Sequence, residues 1–98
     1  MTYAIVHHFK GATQAQFEAV SAKVDPAGGG LVPGEILEIS GPSEEGWMIV
    51  GLFESKGAWE RFRDETLAPS LREVGDTGFA GPPDELSFDV VNTHHKLA

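Results

Sequence analysis

The chain has 98 residues, 41% of them hydrophobic, and a formal net charge of −8. This length predicts one domain over residues 1–98, because domains commonly contain about 100–150 residues. The acidic excess repels phosphate backbones and anionic lipids, so we expect neither nucleic acid nor a membrane as a partner. The absence of cysteine excludes a disulfide framework, a thiolate nucleophile and a Cys-based zinc site.

The first predicted element is a strand over residues 2–9, which are rich in β-branched and aromatic side chains. This segment does not have the charged and apolar regions of a secretory signal. No apolar run in the chain approaches the roughly 20 residues that cross a bilayer. We therefore expect a soluble protein of the cytoplasm.

A helix is predicted next, because Thr13 and Gln16 have the spacing of a capping box. The apolar residues of this helix fall on one face: Phe17, Val20 and Val24. Asp25 and Pro26 end the helix, since a residue before proline is pushed out of the helical region.

The segment after this helix, residues 27–34, contains four glycines and one proline and is predicted to be a loop. Its Gly28–Gly30 run does not have the Lys and Ser/Thr of a phosphate-binding loop, so we interpret it as a mobile loop or lid. Strands are predicted over residues 36–40 and 47–54. The second of these is apolar enough to suit a strand buried on both faces.

Ser55 is expected to cap a second helix, in which Trp59 and Phe62 lie one turn apart and face inward. Pro69 fits the first turn of a new short helix but not the middle of a long one. We therefore predict a kink at Leu67 and Ala68.

The last predicted element is a strand over residues 86–93. Strands and helices then follow the ferredoxin-like βαββαβ order of an α+β domain. The two halves are diverged copies of one unit, because residues 3–9 align with residues 47–53. We predict an antiparallel four-stranded sheet, with the first and third strands side by side and parallel at its centre, the fourth beside the first and the second beside the third.

In this topology the helices cover only one face of the sheet. The other face also carries apolar residues, and no further chain is available to cover it. A second copy in an isologous two-fold contact is the simplest cover. We therefore predict a homodimer that closes a dimeric α/β barrel.

Several short motifs resemble the dimeric α/β-barrel superfamily and, within it, the small antibiotic-biosynthesis-monooxygenase-like proteins. The motifs are Tyr-x-Ile-Val-x-x-Phe over residues 3–9, Pro33-Gly34, Gly46-Trp47, Phe53-Glu54-Ser55 and Leu67-Ala68-Pro69-Ser70-Leu71. The resemblance covers nearly the whole chain and is structural in character. The family includes cofactor-independent oxygenases of aromatic polyketides and quinols, haem-degrading enzymes, and many members with no assigned activity.

Haem-degrading relatives place an Asn on the first strand, a Trp on the second helix and a haem-ligating His beyond that Trp. Trp59 matches the Trp, but residues 3–9 contain no Asn and residues 59–75 contain no His. Haem degradation is therefore disfavoured. The oxygenase members rely on less regular sets of pocket residues, and the resemblance to them implies that no cofactor is needed.

Candidate acid–base chemistry lies on the first strand, where His7 and His8 point to opposite faces of the sheet. His7 corresponds to Gly51 in the repeat. We expect these two to be neighbours on adjacent parallel strands, so that the missing side chain of Gly51 leaves room for a ligand. Asp89 is expected near the same level, where a His–Asp pair would form a general base. The alternative is that each histidine is a core or edge residue that only forms a hydrogen bond.

Trp59 and Phe62 either belong to the core or form the wall of a pocket between helices and sheet. The pair His94 and His95 has the residue type of a metal ligand. Antiparallel pairing, however, places His94 about 16 Å from His7, so we expect no shared metal site and interpret the pair as a solvated tail.

Two functions are left open by the sequence. The first is a cofactor-independent monooxygenase acting on an apolar aromatic small molecule, with His7, His8 and Asp89 as the acid–base set. Its substrate would be bound by Gly51, Trp59 and Phe62. The second is a non-catalytic dimer that binds a small molecule or serves as a scaffold, because the sequence contains no complete catalytic set.

Overall fold

The computed structural model describes residues 1–26 and 29–94. The strands are β1 (Tyr3–Lys10), β2 (Glu35–Ser43), β3 (Gly46–Phe53) and β4 (Asp84–Asp89). The helices are α1 (Gln14–Val24), α2 (Lys56–Phe62) and α3 (Ala68–Val74), with a π-helical turn at Arg63–Leu67 and a 3₁₀ turn at Gly75–Thr77. The predicted α+β order is thereby confirmed, although β4 begins two residues earlier than predicted and ends at Asp89.

Local sequence signals determine where α1 begins and ends. Thr13 Oγ1 accepts from the Gln16 backbone N–H at 3.2 Å, and Gln16 Oε1 accepts from the Thr13 backbone N–H at 3.0 Å. Both hydrogen bonds satisfy amide groups that have no partner inside the helix. The helix ends at Val24, and Asp25 has extended backbone geometry before Pro26. The predicted capping box and stop are confirmed.

The second helical segment begins as predicted, because Ser55 Oγ accepts from the Ala58 backbone N–H at 3.0 Å. The regular α-helix is interrupted before Pro69, because a π-helical turn over Arg63–Leu67 joins α2 to α3. Leu67 and Ala68 themselves keep helical backbone angles, and a kink at these two residues stays a prediction. Pro69 has no amide hydrogen and its ring clashes with a regular α-helical turn, so the wider turn accommodates it.

The strand order is β2-β3-β1-β4, which confirms the predicted neighbours. All three pairs are antiparallel, so the prediction of parallel first and third strands is wrong. The reason is geometric. The crossover through α1 makes β1 and β2 parallel, and the β2–β3 hairpin then reverses β3 relative to both.

The antiparallel register also changes the neighbours of His7. His7 lies opposite Ile49 on β3 and opposite Glu85 on β4. Gly51 lies opposite Ile5, so it is two positions from the level of His7 and on the same face of the sheet. The expectation that repeat-equivalent residues stand side by side is therefore wrong.

One face of the sheet packs against the helices and forms the core. Its buried cluster consists of Tyr3, Ile5, Val32, Phe53 and Trp59. Phe53 is only 1% exposed and has Trp59 and Phe62 as aromatic neighbours, with ring centroids at 5.4 and 5.6 Å. None of the helices within the described residues has the length and hydrophobicity of a membrane span.

Most side chains of the opposite face, which we name the open face, remain in contact with solvent, although Ala4 is only 2% exposed. Its apolar residues are Ala4, Val6, Leu37, Ile39, Met48, Val50, Leu52, Leu86 and Phe88. Leu86 is 73% exposed, Phe88 56% and Ile39 54%. In this chain β3 is therefore buried on one face only, and the prediction of burial on both faces does not hold for a single copy.

Candidate functional site

A cavity of about 70 Å³, measured as the space open to the centre of a water molecule, lies between the helices and the sheet. Its aromatic lining consists of Phe9, Phe17, Phe53, Trp59, Phe62 and Phe79. Its polar lining consists of His7, Ser21, Asp25, Glu35 and Glu38. A mainly apolar cavity with a few polar side chains is the usual form of a small-molecule site.

His7 is held in the wall of this cavity by three contacts. Its Nε2 lies 2.7 Å from Glu85 Oε1, and its ring meets the rings of Phe9 and Trp59 edge-on at centroid distances of 5.8 and 5.5 Å. The residue is 9% exposed. When Nε2 carries the hydrogen and donates it to Glu85, Nδ1 is the atom that can accept a proton.

A more open groove of about 180 Å³ lies on the other side of His7. Arg63, Pro83 and Glu85 line only this groove, whereas His7 and Trp59 line both the groove and the cavity. The side chain of Glu85 is half exposed. His7 thus connects the interior of the cavity to a carboxylate in contact with solvent.

Two carboxylates on β2 reach the cavity because the strand contains a bulge. Glu35 lies opposite Phe53 and Glu38 lies opposite Gly51, with a register shift between Glu35 and Leu37. Residues three apart in a regular strand point to opposite faces, but one extra residue, Ile36, brings both carboxylates to the same face. The sequence prediction missed them. The adjacent apolar pair Ile36 and Leu37, within an otherwise alternating strand, is the signal that could have revealed the bulge.

The surroundings of these carboxylates disfavour their charged forms. Burial raises the pKa of Glu35 to about 7, the charges of Glu38 and Asp25 add to this, and the Val32 N–H, 3.4 Å from Glu35 Oε1, opposes it. Burial and the charge of Asp25 raise the pKa of Glu38, and burial raises that of Asp25. A carboxyl with a pKa near neutrality can both give and take a proton at pH 7. In the described part of the chain no three His, Asp or Glu side chains are arranged to hold a metal ion.

The pKa of Glu35 makes stability dependent on pH. In the unfolded chain this carboxyl has its ordinary pKa of 4.5, and in the folded chain its pKa is about 7. The folded chain therefore binds this proton more tightly than the unfolded chain does. The stability that this difference provides is present in full below about pH 4.5 and is lost as the pH rises through about 7. Glu35→Gln is expected to raise the free energy of unfolding at pH 8 by roughly 1–2 kcal/mol, a value reduced for partial exposure, and to change it little at pH 4.

Urea unfolding of both proteins at pH 4 and pH 8 measures this difference. Glu44→Gln is the matched control, because Glu44 is exposed in the turn between β2 and β3. An equal effect of Glu35→Gln at both pH values would contradict the prediction.

The structure separates the predicted acid–base residues. His8 points to the open face, where its Nε2 lies 2.9 Å from Ser43 Oγ. Asp89 is exposed and lies opposite Tyr3 on β1. Neither lines the cavity. The expected His7–Asp89 pair is therefore wrong, because the register of the β1–β4 pair places Glu85 opposite His7 and Asp89 opposite Tyr3.

The predicted binding residues Gly51, Trp59 and Phe62 do line the cavity together with His7. A Cβ atom added to Gly51 would lie 3.2 Å from Cε1 of Phe53 and 3.6 Å from Oε2 of Glu35. The position of this missing side chain is thus enclosed by Phe53, Ile5 and Glu35 and does not lie beside His7. The role of these three residues in binding stays a prediction.

Two other sequence interpretations concern residues at or beyond the limits of the described segments. His94 is exposed, and His95 lies outside the described residues. Gly28, in the glycine run interpreted as a lid, is also outside them, whereas Gly29 and Gly30 are described and exposed.

No protein-family model and no curated protein matches this sequence. Solved structures that share its fold include the following two. One is described as an antibiotic biosynthesis monooxygenase from Chloroflexus aurantiacus, with a TM-score of 0.65 and 13% identity over 97% of this chain and 98% of that chain. The other is a monooxygenase of Streptomyces coelicolor in complex with Nanaomycin D, with a TM-score of 0.57 and 20% identity over 98% of this chain and 92% of that chain. The structural neighbours of this chain are therefore antibiotic-biosynthesis-monooxygenase-like proteins, and the chain has their ferredoxin-like fold.

Proposed function

We propose that this chain is a small oxygenase that binds an apolar aromatic molecule in the cavity and removes a proton from its hydroxyl group with His7. The observation that supports the proposal most strongly is the position of His7 in the wall of an aromatic cavity. Its buried imidazole forms a hydrogen bond with Glu85. The carboxylate orients the ring and stabilises its charged form. Two neighbours of the same fold, both described as monooxygenases, support this class of reaction.

The proposed reaction uses molecular oxygen as the oxidant. His7 Nδ1 takes the proton of a phenolic hydroxyl, which makes the aromatic system a better electron donor. An activated ring CH₂ group then reacts with O₂. One oxygen atom becomes the oxygen of a new C=O group, and the other leaves as water with the two hydrogens of the CH₂ group. The protein contributes the base, a fixed orientation of the substrate and the exclusion of bulk water.

The aromatic lining suits such a substrate. Trp59 and Phe62 come from α2 and Phe53 from β3, and their rings lie 5.4 to 5.9 Å apart. Rings in this arrangement present flat apolar surfaces against which another aromatic ring can pack. A planar substrate with more than one ring therefore fits the cavity better than a flexible aliphatic one.

The open face supports a second part of the proposal, that the chain works as a homodimer closing an α/β barrel. Exposed apolar patches of this kind mark interaction surfaces. A two-fold contact would bury the open face of one copy against that of its partner. His8 and Ser43 lie at the edge of this face and already form a hydrogen bond with each other, so the contact would not leave His8 Nε2 unpaired.

The alternative function is a non-catalytic dimer that binds a small hydrophobic molecule or serves as a scaffold. A cavity lined only by apolar atoms would favour it. The lining instead includes His7, Glu35 and Glu38, so we favour catalysis.

Oxygen uptake in the presence of 1,8-dihydroxyanthrone tests the proposed function. We expect the protein to accelerate uptake above the spontaneous rate and to place one atom of ¹⁸O₂ in the new carbonyl group, detected by mass spectrometry. The analogue 10,10-dimethyl-1,8-dihydroxyanthrone, which has no ring CH₂ group to oxidise, should bind without oxygen uptake. Binding of both compounds with no acceleration of uptake by either would support the binding module and overturn the oxygenase.

A further inference from the structure

The cavity has two polar ends. His7 on β1 forms one end, and Glu35 and Glu38 on β2 form the other, with β3 between them. Neighbouring strands are about 4.8 Å apart and successive residues about 3.3 Å apart. Glu38 lies opposite Gly51 and Glu35 opposite Phe53, two and four residues along β3 from Ile49, which lies opposite His7. The backbone of His7 is therefore roughly 12 Å from that of Glu38 and roughly 16 Å from that of Glu35. The side chains and one hydrogen bond at each end take up part of this distance, and the gap that remains is similar to the length of a fused aromatic system. A single flat molecule can therefore reach both ends.

The oxygens of Glu35 have different surroundings. Oε1 accepts from the Val32 backbone N–H at 3.4 Å. Oε2 lies 3.6 Å from the position that a Cβ atom of Gly51 would occupy, where Phe53 and Ile5 also approach at 3.2 and 3.4 Å. Glu35 lines the cavity at this point, so a ligand that reaches this part of the wall would meet its carboxyl group. Because a hydrogen-bond donor offsets the loss of water around a buried carboxylate, such a ligand would stabilise Glu35 in place.

Within residues 1–26 and 29–94, Glu35 forms no salt bridge with a cationic side chain. The charges that act on it are those of the acidic Glu38 and Asp25, and both oppose its ionisation. A partly buried carboxyl of this kind at the wall of a cavity is characteristic of a binding or catalytic group. Its position is also specific, because the bulge at Ile36 is what brings Glu35 to the cavity face.

We propose that Glu35 is a second substrate-binding residue, and that the substrate is an aromatic molecule with hydroxyl groups at both of its long ends. One hydroxyl faces His7 and loses its proton there. The other donates a hydrogen bond to Glu35. This inference rests on the proposed function, because it takes the His7 end as the reacting end.

Three naphthalene ligands test the inference: 2-naphthol, 2,6-dihydroxynaphthalene and 6-methoxy-2-naphthol. The methoxy compound keeps the first hydroxyl and replaces the second donor with a group that cannot donate. Isothermal titration at pH 7 under nitrogen is expected to show that the dihydroxy compound binds about tenfold more tightly than the methoxy compound, since hydrogen bonds to charged groups are among the stronger ones.

Glu35→Leu is expected to abolish this preference while leaving the affinity for 2-naphthol within about twofold of the wild-type value, because the apolar wall is retained. Glu35→Gln should keep part of the preference, since its amide oxygen still accepts. Glu44→Leu is the matched control, because Glu44 is exposed outside the cavity. Circular dichroism melting of each variant shows whether it is folded.

Equal affinities of the wild type for the dihydroxy and methoxy compounds would overturn the role of Glu35, as would a preference that survives Glu35→Leu. In both cases binding of 2-naphthol would leave the proposed function standing. Tighter binding of 6-(aminomethyl)-2-naphthol than of the dihydroxy compound would overturn the substrate class in favour of a cationic group. Failure of all these compounds to bind the wild type would overturn the inference together with the proposed function.

Discussion

His7→Phe is expected to lower the oxygen-dependent turnover of 1,8-dihydroxyanthrone by about 10²- to 10⁴-fold, the usual contribution of a general base. Phenylalanine keeps a flat ring against Phe9 and Trp59, which now lie 5.8 and 5.5 Å from the imidazole centroid, so the fold should be retained. Oxygen-electrode kinetics measure the effect. We expect most of the loss in kcat and little change in KM, because the substitution removes proton transfer and leaves the aromatic packing.

The matched pair Glu85→Gln and Asp89→Asn tests the assignment of the carboxylate partner. Both residues are exposed on β4, but only Glu85 contacts His7. Glu85→Gln is expected to reduce kcat and change its pH profile, because it removes the charge that stabilises the imidazolium. Asp89→Asn should leave both unchanged. Full turnover by His7→Phe would exclude His7 as the base, and equal losses in the two β4 variants would exclude Glu85 as its particular partner.

Ile39→Lys is expected to convert the proposed homodimer to a monomer at micromolar concentration. Ile39 lies opposite Val50 on the open face and is 54% exposed, so the single copy should tolerate a lysine there. In a two-fold dimer the lysine occurs twice in the contact. If each of the two lysines weakens the free energy of association by about 2 kcal/mol, the dissociation constant rises by about 10²- to 10³-fold. Sedimentation velocity over a concentration series measures the change.

Leu31→Lys is the control for this experiment. Leu31 is 51% exposed, nearly the same fraction as Ile39, but it lies in the loop before β2 and not on the open face. The control should sediment like the wild type. A monomeric wild type would overturn the dimer, and equal dissociation of both variants would show that added charge, not the open face, is responsible.

The parts of the fold predicted correctly from the sequence depend on short-range interactions. The capping box of Thr13 and Gln16 and the cap at Ser55 involve residues three apart in the chain. Strand order followed from the general rules of crossover connections. The direction of β3 relative to β1 depends on two successive connections, the crossover through α1 and the β2–β3 hairpin, and the crossover rule alone does not determine it.

The candidate site was predicted only in part. Short-range patterns identify residues that line it, but not which side chains on other strands lie beside them. His7, Gly51, Trp59 and Phe62 were singled out and do lie around one cavity. Their carboxylate neighbours depend on long-range register, which composition and periodicity do not determine. Glu85 stands opposite His7 because of the register of the β1–β4 pair, which places Asp89 opposite Tyr3.

The bulge at Ile36 has a consequence for how proteins of this fold can diversify. A change of one residue in the length of β2 changes which residue lies opposite Phe53 and therefore which side chain enters the cavity, because side chains alternate between faces. Here the extra residue places Glu35 at that position, whereas a regular continuation of the strand from Leu37 would have placed Ile36 there. An insertion or deletion near the start of this edge strand can thus exchange an apolar wall for an acidic one in a single evolutionary step. The pairing of the central strands β1 and β3 would remain unchanged.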